Sequence, residues 1–326
     1  MDIDTQRRIA AILRILDAEG KPLGSHRIAE AMKECGIDIK ERMVRYYLEE
    51  TDRRGFTMNN GRLGRELTKR GKSELADTVA VDRLGTLPGR LLELAYRATF
   101  NLHEQVGTVA VNRCRVAAEK KNEALAVMRS VVEAGWGMGR WVCFHDDGKD
   151  GGAVEHRMTP IGVLSEVTVD GVLRSHGIPV TPVLTGLLAV ENRKPKRFSE
   201  TIQLNGVTVE PMSLFSKAMM TQVTGVVESG CGIVGATFRE IPSAVVSKAK
   251  EVVSRLERIG ICSVVSIEEW GREQFDIPLR PDRAALILPA SLNCFAALKE
   301  HGFVVEDIEE MGIEPFERCV DLFNLL

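Results

Sequence analysis

The chain has 326 residues, 44% of them hydrophobic and 27% charged, with a formal net charge of −3. That composition excludes a disordered chain and provides for two or three domains with real cores. MDIDTQRR at the start has no apolar segment behind its charges, and no stretch approaches the roughly 18 apolar residues of a membrane span, so a cytoplasmic protein without membrane contact is expected.

Three helical patterns and a hairpin follow one another within residues 1 to 78. Ile9, Ile12, Leu13 and Leu16 recur at helical spacing until Gly20, and Pro22 forbids continuation. Ser25 is a candidate N-cap for a second, short helix with Ile28, Ala29 and Met32 inside and Gly36 as its stop. In the third helix Val44, Tyr47, Leu48 and Thr51 share one face, while Lys40, Arg42, Arg45, Tyr46 and Glu49 take the other. Phe56 to Met58 and Arg62 to Leu67 then flank Asn59-Asn60-Gly61, whose Asn-Gly pair favours a type I′ turn. A short closing helix is expected from about Thr68.

Helix, helix, helix, hairpin is the order of a winged helix-turn-helix, with residues 40 to 55 as recognition helix and start of the wing. A recognition helix carries cationic and hydrogen-bonding side chains to the major groove, which points to Arg42, Arg45 and Tyr46 as base readers. Lys40, Arg62 and Arg65 suit phosphates. Residues 1 to 78 hold 16 Lys plus Arg against 14 Asp plus Glu, and the remainder 27 against 32, so charge favours the first domain as the DNA binder. A basic helix face is otherwise a solvated face, and winged helices also bind proteins; the complete order of elements favours a double-stranded DNA operator as partner.

Residues 79 to 105 read as a linker punctuated by Gly85, Pro88 and Gly89, with a connecting helix in LLELAYRATF. From 106 to 326 the sequence repeats itself at a constant offset of 125: Gly107 falls on Gly232, Val109 on Val234, Gly135 on Gly260, and His176-Gly177 on His301-Gly302. Each copy, about 106 to 191 and 231 to 316, reads strand, helix, strand, strand, helix, strand, a split βαβ unit. The fold class is therefore α/β (α+β): a winged helix followed by an internally duplicated βαββαβ-like domain. Between the copies, 192 to 230 form an asymmetric insert with a hairpin expected at Asn205-Gly206 and a helix from Met212 to Val223. Two apposed halves form a ligand cleft at their seam.

Catalytic signatures are missing: no Walker sequence, no GxGxxG after a strand, no HExxH and no GxSxG, so no catalytic residue, metal or cofactor is assigned. GKDGG at 148 to 152 reads as a polar loop, and His176 and His301, each before a glycine at a helix end, as capping residues. Arg113, Arg115 and Arg239, placed at the ends of the first strand of each copy, could hold a carboxylate. The seven cysteines show neither a paired framework nor C-x-x-C spacing; they read as small buried residues, with Cys231, between two glycines, as the one candidate thiol sensor.

TGLLAVENRKPKRFSETIQLNGVTVEPMSLF (185 to 215), GIVGATFREIP (232 to 242) and ILPASLNCFAALKEHG (287 to 302) resemble the NrpR family of nitrogen-regulation repressors, and with the winged helix the resemblance spans nearly the whole chain. It implies an oligomeric DNA-binding repressor, a homodimer or larger, acting on nitrogen-assimilation genes, with 2-oxoglutarate as the effector that releases DNA. The chain departs from the family in carrying one regulatory domain where some members carry two, and in having Cys294 where proline is expected. Two other classes stay open at this point: a metabolite-processing enzyme with a fused winged-helix controller, and an adaptor whose winged helix binds protein.

Overall fold

Ile9, Ile12, Leu13 and Leu16 are all buried along one side of α1 (Ile3–Glu19). In the computed structural model, residues 3–34, 37–72, 75, 86–144, 158–269, 275 and 277–325 are described. Gly20 ends α1 with φ 62°, its N–H bonding back to the Leu16 carbonyl. Helix α2 (Ser25–Glu34) buries Ile28 and Met32, and α3 (Glu41–Arg53) buries the four residues expected of it, Val44, Tyr47, Leu48 and Thr51. Gly36, the proposed stop of α2, lies outside the described residues.

The wing differs from the sequence expectation. Strands β1 (Thr57–Asn59) and β2 (Arg65–Leu67) pair with Asn59 opposite Arg65, so five residues form the loop rather than a two-residue turn. Asn60 has φ −97°, whereas a type I′ turn needs positive φ at both central residues, and a 3-10 turn over Gly61–Leu63 closes the tip. Gly64 explains the geometry. With φ 100° it passes so close to the Leu23 backbone that a Cβ there would stand 2.2 Å from the Leu23 carbonyl carbon. Leu23 and Arg65 exchange two backbone hydrogen bonds of 2.9 Å, adding a third short strand to the wing. The closing helix follows, and the Thr68 hydroxyl accepts from Gly71 N–H at 3.0 Å.

The second unit begins at Gly85. Helix α4 (Leu87–Arg97), expected to be a connector, is part of this unit's core: Leu87, Leu91, Leu94 and Ala95 are buried with Ala98, Ala110, Val167 and Leu204. The first copy continues as β3 (Thr108–Ala117), α5 (Lys121–Glu133), β4 (Trp141–Phe144), β5 (Met158–Leu164), α6 (Val167–Ser175) and β6 (Thr181–Glu191). GKDGG at 148 to 152 lies outside the described residues.

The insert supplies β7 (Lys194–Gln203), α7 (Pro211–Lys217) and α8 (Val223–Ser229). Its hairpin turns at Asn192-Arg193, both with positive φ (52° and 61°), and not at Asn205-Gly206. The single helix expected over 212 to 223 is interrupted by Met219, which adopts φ 53°. The second copy is β8 (Gly232–Pro242), α9 (Val246–Arg258), β9 (Ser266–Glu269), β10 (Arg283–Pro289), α10 (Asn293–Glu300) and β11 (Val305–Pro315), and β12 (Cys319–Asp321) closes the chain. Adding 125 to the bounds of α5, β4 and β5 gives those of α9, β9 and β10, so the repeat is structural as well as sequential.

Two five-stranded antiparallel sheets result, ordered β7-β6-β8-β10-β9 and β11-β3-β5-β4-β12. The halves are not separate split βαβ units. Each lends its last strand to the other: β6 pairs with β8, and β11 with β3. Helices follow the same reciprocity, α5 packing on α10 and α6 on α9. Two large cores, one containing α5 and α10 and the other α6 and α9, both draw side chains from the two sheets.

Equivalent residues make equivalent bonds. Thr168 Oγ1 accepts from Ala110 N–H at 2.9 Å and donates to its carbonyl at 3.0 Å; 125 positions on, Asn293 Oδ1 accepts from Gly235 N–H at 2.7 Å and Nδ2 donates to its carbonyl at 2.9 Å. The rings of His176 and His301 each lie within hydrogen-bond distance of a carbonyl one turn back, Val172 at 2.8 Å and Ala297 at 2.9 Å, which is a helix-end role.

Candidate functional site

Recognition surface of the winged helix. The buried stripe of α3 fixes which side chains face outward: Arg42, Met43, Arg45, Tyr46 and Glu49 are exposed, Tyr46 at 54%. Lys40, the residue before the helix, is exposed too, as is Arg62 at the wing tip beside Leu63, which is 71% exposed.

Arg45 is held in place. Its Nη2 donates to Glu41 Oε1 at 2.6 Å and its Nε to Ser25 Oγ at 3.3 Å, while Ser25 Oγ donates to the same Glu41 oxygen at 2.9 Å. Ser25, expected as the N-cap of α2, thus spends its hydroxyl on the recognition helix. Arg45 first, and Ser25 second, hold the Glu41 carboxyl below the usual range. With Nε and one Nη2 hydrogen engaged, 62% of the Arg45 side chain is still exposed.

Arg65, expected to contact phosphate, is placed differently. Its Nε donates to Asp52 Oδ2 at 2.9 Å and only 19% of its side chain is exposed. Asp52 Oδ1 also accepts from Thr57 Oγ1 at 2.6 Å, and Thr57 Oγ1 meets Thr51 Oγ1 at 2.8 Å. This chain of bonds ties the last turn of α3 to both strands of the wing, so Arg65 braces the wing. Sequence reasoning missed the brace because nothing local marks Asp52 and Arg65 as partners.

The seam of the duplicated unit. The residues that meet between the halves are counterparts under the 125-residue offset, Asn112 with Thr237 and Glu166 with Ser291. Ser291 donates to Glu166 through its N–H at 2.8 Å and its hydroxyl at 3.0 Å, and Asn112 Nδ2 donates to Ser291 Oγ at 2.7 Å. Arg239, 3% exposed, donates Nε to Asp170 Oδ1 at 2.6 Å and Nη1 to Thr237 Oγ1. Burial opposes its charge, and Asp170, ahead of Glu166 and Glu210, keeps it protonated. Glu210 is pushed up to about 7, chiefly by burial and then by the charge of Glu166.

The proposed arginine trio is not brought together here. Arg113 and Arg115 sit inside β3 and Arg239 inside β8, bonded on both sides by neighbouring strands and not at strand ends. The counterpart of Arg239 is Cys114, and since side chains alternate across a strand, Asn112 faces the seam while Arg113 points to the opposite face, its guanidinium over Gly312. The seam encloses only about 20 Å³, room for a water but not a metabolite. Arg239, Asp170, Glu166 and Glu210 together carry more carboxylates than guanidinium, a setting that repels a dianion. Arg239 is therefore a structural group of the seam.

Cysteines correct one further expectation. Cys143 on β4 and Cys319 on β12 face each other in register and form a disulfide across 176 residues, a pairing that no local spacing announces. Cys262 and Cys294 are buried, and burial pushes the Cys294 thiol up to about 12, which leaves it inert. Cys231 is exposed. No group of metal-ligating side chains is present among the described residues, and none of their helices is long and apolar enough to cross a membrane.

A winged helix with a polar recognition face, joined in one chain to a duplicated α/β unit, defines a transcriptional regulator with a separate regulatory domain. Comparison with known proteins gives the same class. Residues 10–75 match the ribonuclease R winged-helix domain, and residues 84–318 match the NrpR regulatory domains NRD1 and 2. The global nitrogen regulator NrpRI of Methanosarcina mazei is 30% identical over 94% of this chain and 95% of its own length. NrpR of Methanocaldococcus jannaschii is 30% identical over 93% of this chain and 53% of its own, and that of Methanococcus maripaludis 29% over 90% and 52%. The chain thus spans about half the length of those two relatives. A crystal structure of a nitrogen repressor-like protein from Methanococcus jannaschii superposes with a TM-score of 0.62 at 19% identity, covering 73% of this chain and 99% of that one, and so shares the fold.

The chain belongs to the NrpR family. It is a nitrogen-regulating transcriptional regulator with a DNA-binding winged helix.

Proposed function

We propose that the protein represses nitrogen-assimilation genes as a homodimer and leaves its operator when the regulatory unit binds 2-oxoglutarate. The carrying observation is the recognition face itself: exposed Arg42, Arg45 and Tyr46 on a helix whose other face is buried, with Arg62 at the tip of an adjoining wing. Arg45, with Nε and Nη2 fixed by Ser25 and Glu41, is set to offer its outer edge to guanine O6 and N7. Arg42 and Tyr46 flank it, and Lys40 and Arg62 take phosphates.

Repression and release are linked equilibria. Two winged helices of a dimer meet half-sites about one helical turn, roughly 34–36 Å, apart, and an effector that favours another arrangement of the subunits weakens the operator complex. Each 1.4 kcal/mol of such coupling costs about tenfold in affinity.

Selection of bound fragments from the source genome, with and without 2-oxoglutarate, tests the reading. Enrichment near nitrogen-metabolism genes that disappears with the metabolite supports it, and absence of any enriched fragment sinks it. Arg45→Ala is expected to cost about 1–3 kcal/mol and to relax preference at one base pair, whereas Arg62→Ala weakens binding to all sequences and lowers the salt slope by about one.

A further inference from the structure

Helix α4 turns Leu87, Leu91, Leu94 and Ala95 into the core, which leaves two large apolar side chains, Leu92 and Tyr96, on its outer side. Tyr96 is 78% exposed, more than any other large apolar side chain among the described residues, and Leu92, one turn before it, is 43% exposed. A single exposed apolar residue is ordinary on a protein surface. Here the pair is continuous with a groove of about 530 Å³ between α4 and the end of α6, bordered by Tyr96, Ala98, Thr99, Gly171 and Gly177. Gly89, three residues before Leu92, is exposed with open space where a Cβ would stand, so packing within the chain does not call for a glycine there.

The charges beside this strip decide what can cover it. Glu93 and Arg97 directly follow Leu92 and Tyr96, both exposed and 3.7 Å apart along the helix. The outer face thus reads Leu92-Glu93, then Tyr96-Arg97 one turn on. Such a face is complementary to itself when two copies run antiparallel. A two-fold axis between the two turns sets Leu92 against Tyr96 of the second copy and Glu93 against Arg97 of the second copy, and symmetry repeats both contacts. Parallel copies would instead set Glu93 beside Glu93 and Arg97 beside Arg97.

We infer that the outer face of α4 is a contact between two copies of this chain, the helices antiparallel across a two-fold axis, with the groove beside Tyr96 giving room to side chains of the second copy. This rests on the reading of the protein as a homodimer and gives that dimer an interface. It also gives the interface a role, because α4 is the first helix after Gly85, where the second unit begins, so the chain connections to both winged helices start from the helices that meet.

Mixing two charge variants of the full chain tests the contact. Glu93→Arg carries arginine at both charged positions and Arg97→Glu carries glutamate at both, so each repels its own copy; in sedimentation each is expected to self-associate about tenfold or more weakly than the wild type. Mixed in equal amounts they oppose unlike charges at both contacts, and native mass spectrometry is expected to show dimers containing one copy of each. A defect confined to the pair within one chain could not be repaired by a second chain. Tyr96→Ala keeps every charge and is expected to weaken self-association about tenfold. It decides where thermal unfolding shows that a charge variant does not fold, and wild-type self-association in it then overturns the contact. Dimers unchanged in both folded charge variants, as expected of a face that meets a different partner, or monomers in their mixture overturn the contact and leave the homodimer reading intact. A monomeric wild type overturns both.

Discussion

At the scale of single residues, the sequence pointed to charged groups more reliably than to their partners. Arg45 and Arg65 both read as DNA contacts. Only the fold separates them, because Asp52 sits in α3 and reaches the wing strand through space. Arg239 reads from sequence as an arginine at a strand end able to hold a carboxylate, and nothing local shows that it lies inside β8 and pairs with Asp170, 69 positions away. Removing the guanidinium leaves a buried carboxylate uncompensated, so Arg239→Ala should destabilise the regulatory unit by about 3–5 kcal/mol in urea unfolding. A variant as stable as the wild type would disprove the structural role. Glu210 gives a pH signature. Its folded pKa of about 7 lies above the carboxyl value of 4.5, so the folded state holds the proton more tightly and stability falls as pH rises from about 4.5 to 7. Glu210→Gln should flatten that fall when unfolding is measured at pH 5 and pH 8.

Single elements show what local chemistry can and cannot announce. Helices α1 to α3 were legible because burial follows a 3.6-residue period that the apolar residues display directly. The hairpins were not, since turn geometry depends on where the strands are paired. Asn60-Gly61 sits in a five-residue loop because the Gly64 backbone is pressed against Leu23, and Asn192-Arg193 makes the tight turn although no glycine marks it. Any side chain at 64 must displace the Leu23 backbone. Gly64→Ala is therefore expected to destabilise the winged helix by about 1–3 kcal/mol and to weaken DNA binding, whereas Gly61→Ala, with open space around its Cβ site, should pay only for its φ of 63° and cost less. Equal melting temperatures for the two variants would contradict this account of the wing.

For the whole molecule, the duplication was legible because a repeat needs only one constant offset, and Gly107, His176 and their partners kept it without slipping. The exchange of β6 and β11 left no such trace: an edge strand has the same alternating pattern whichever sheet it joins. Its consequence for folding is direct. Residues 86–191 lack β11 beside β3, and residues 231–325 lack β6 beside β8, so neither half completes its sheet alone. Expressed separately, each half should show poor amide protection and exposed apolar surface, and mixing them should restore a protected complex; independent folding of either half would refute the expectation.

The same exchange says something about descent. A chain with a single copy of the repeat would satisfy the edge of β3 by accepting the last strand of a second chain and giving its own in return, making a two-fold dimer with a shared pair of sheets. Two such subunits joined end to end would have the topology seen here, and in one chain counterpart positions can differ, as Cys114 and Arg239 do. In its connectivity the regulatory unit is a two-fold pair written as one chain, so its two sides can carry different chemistry at equivalent places.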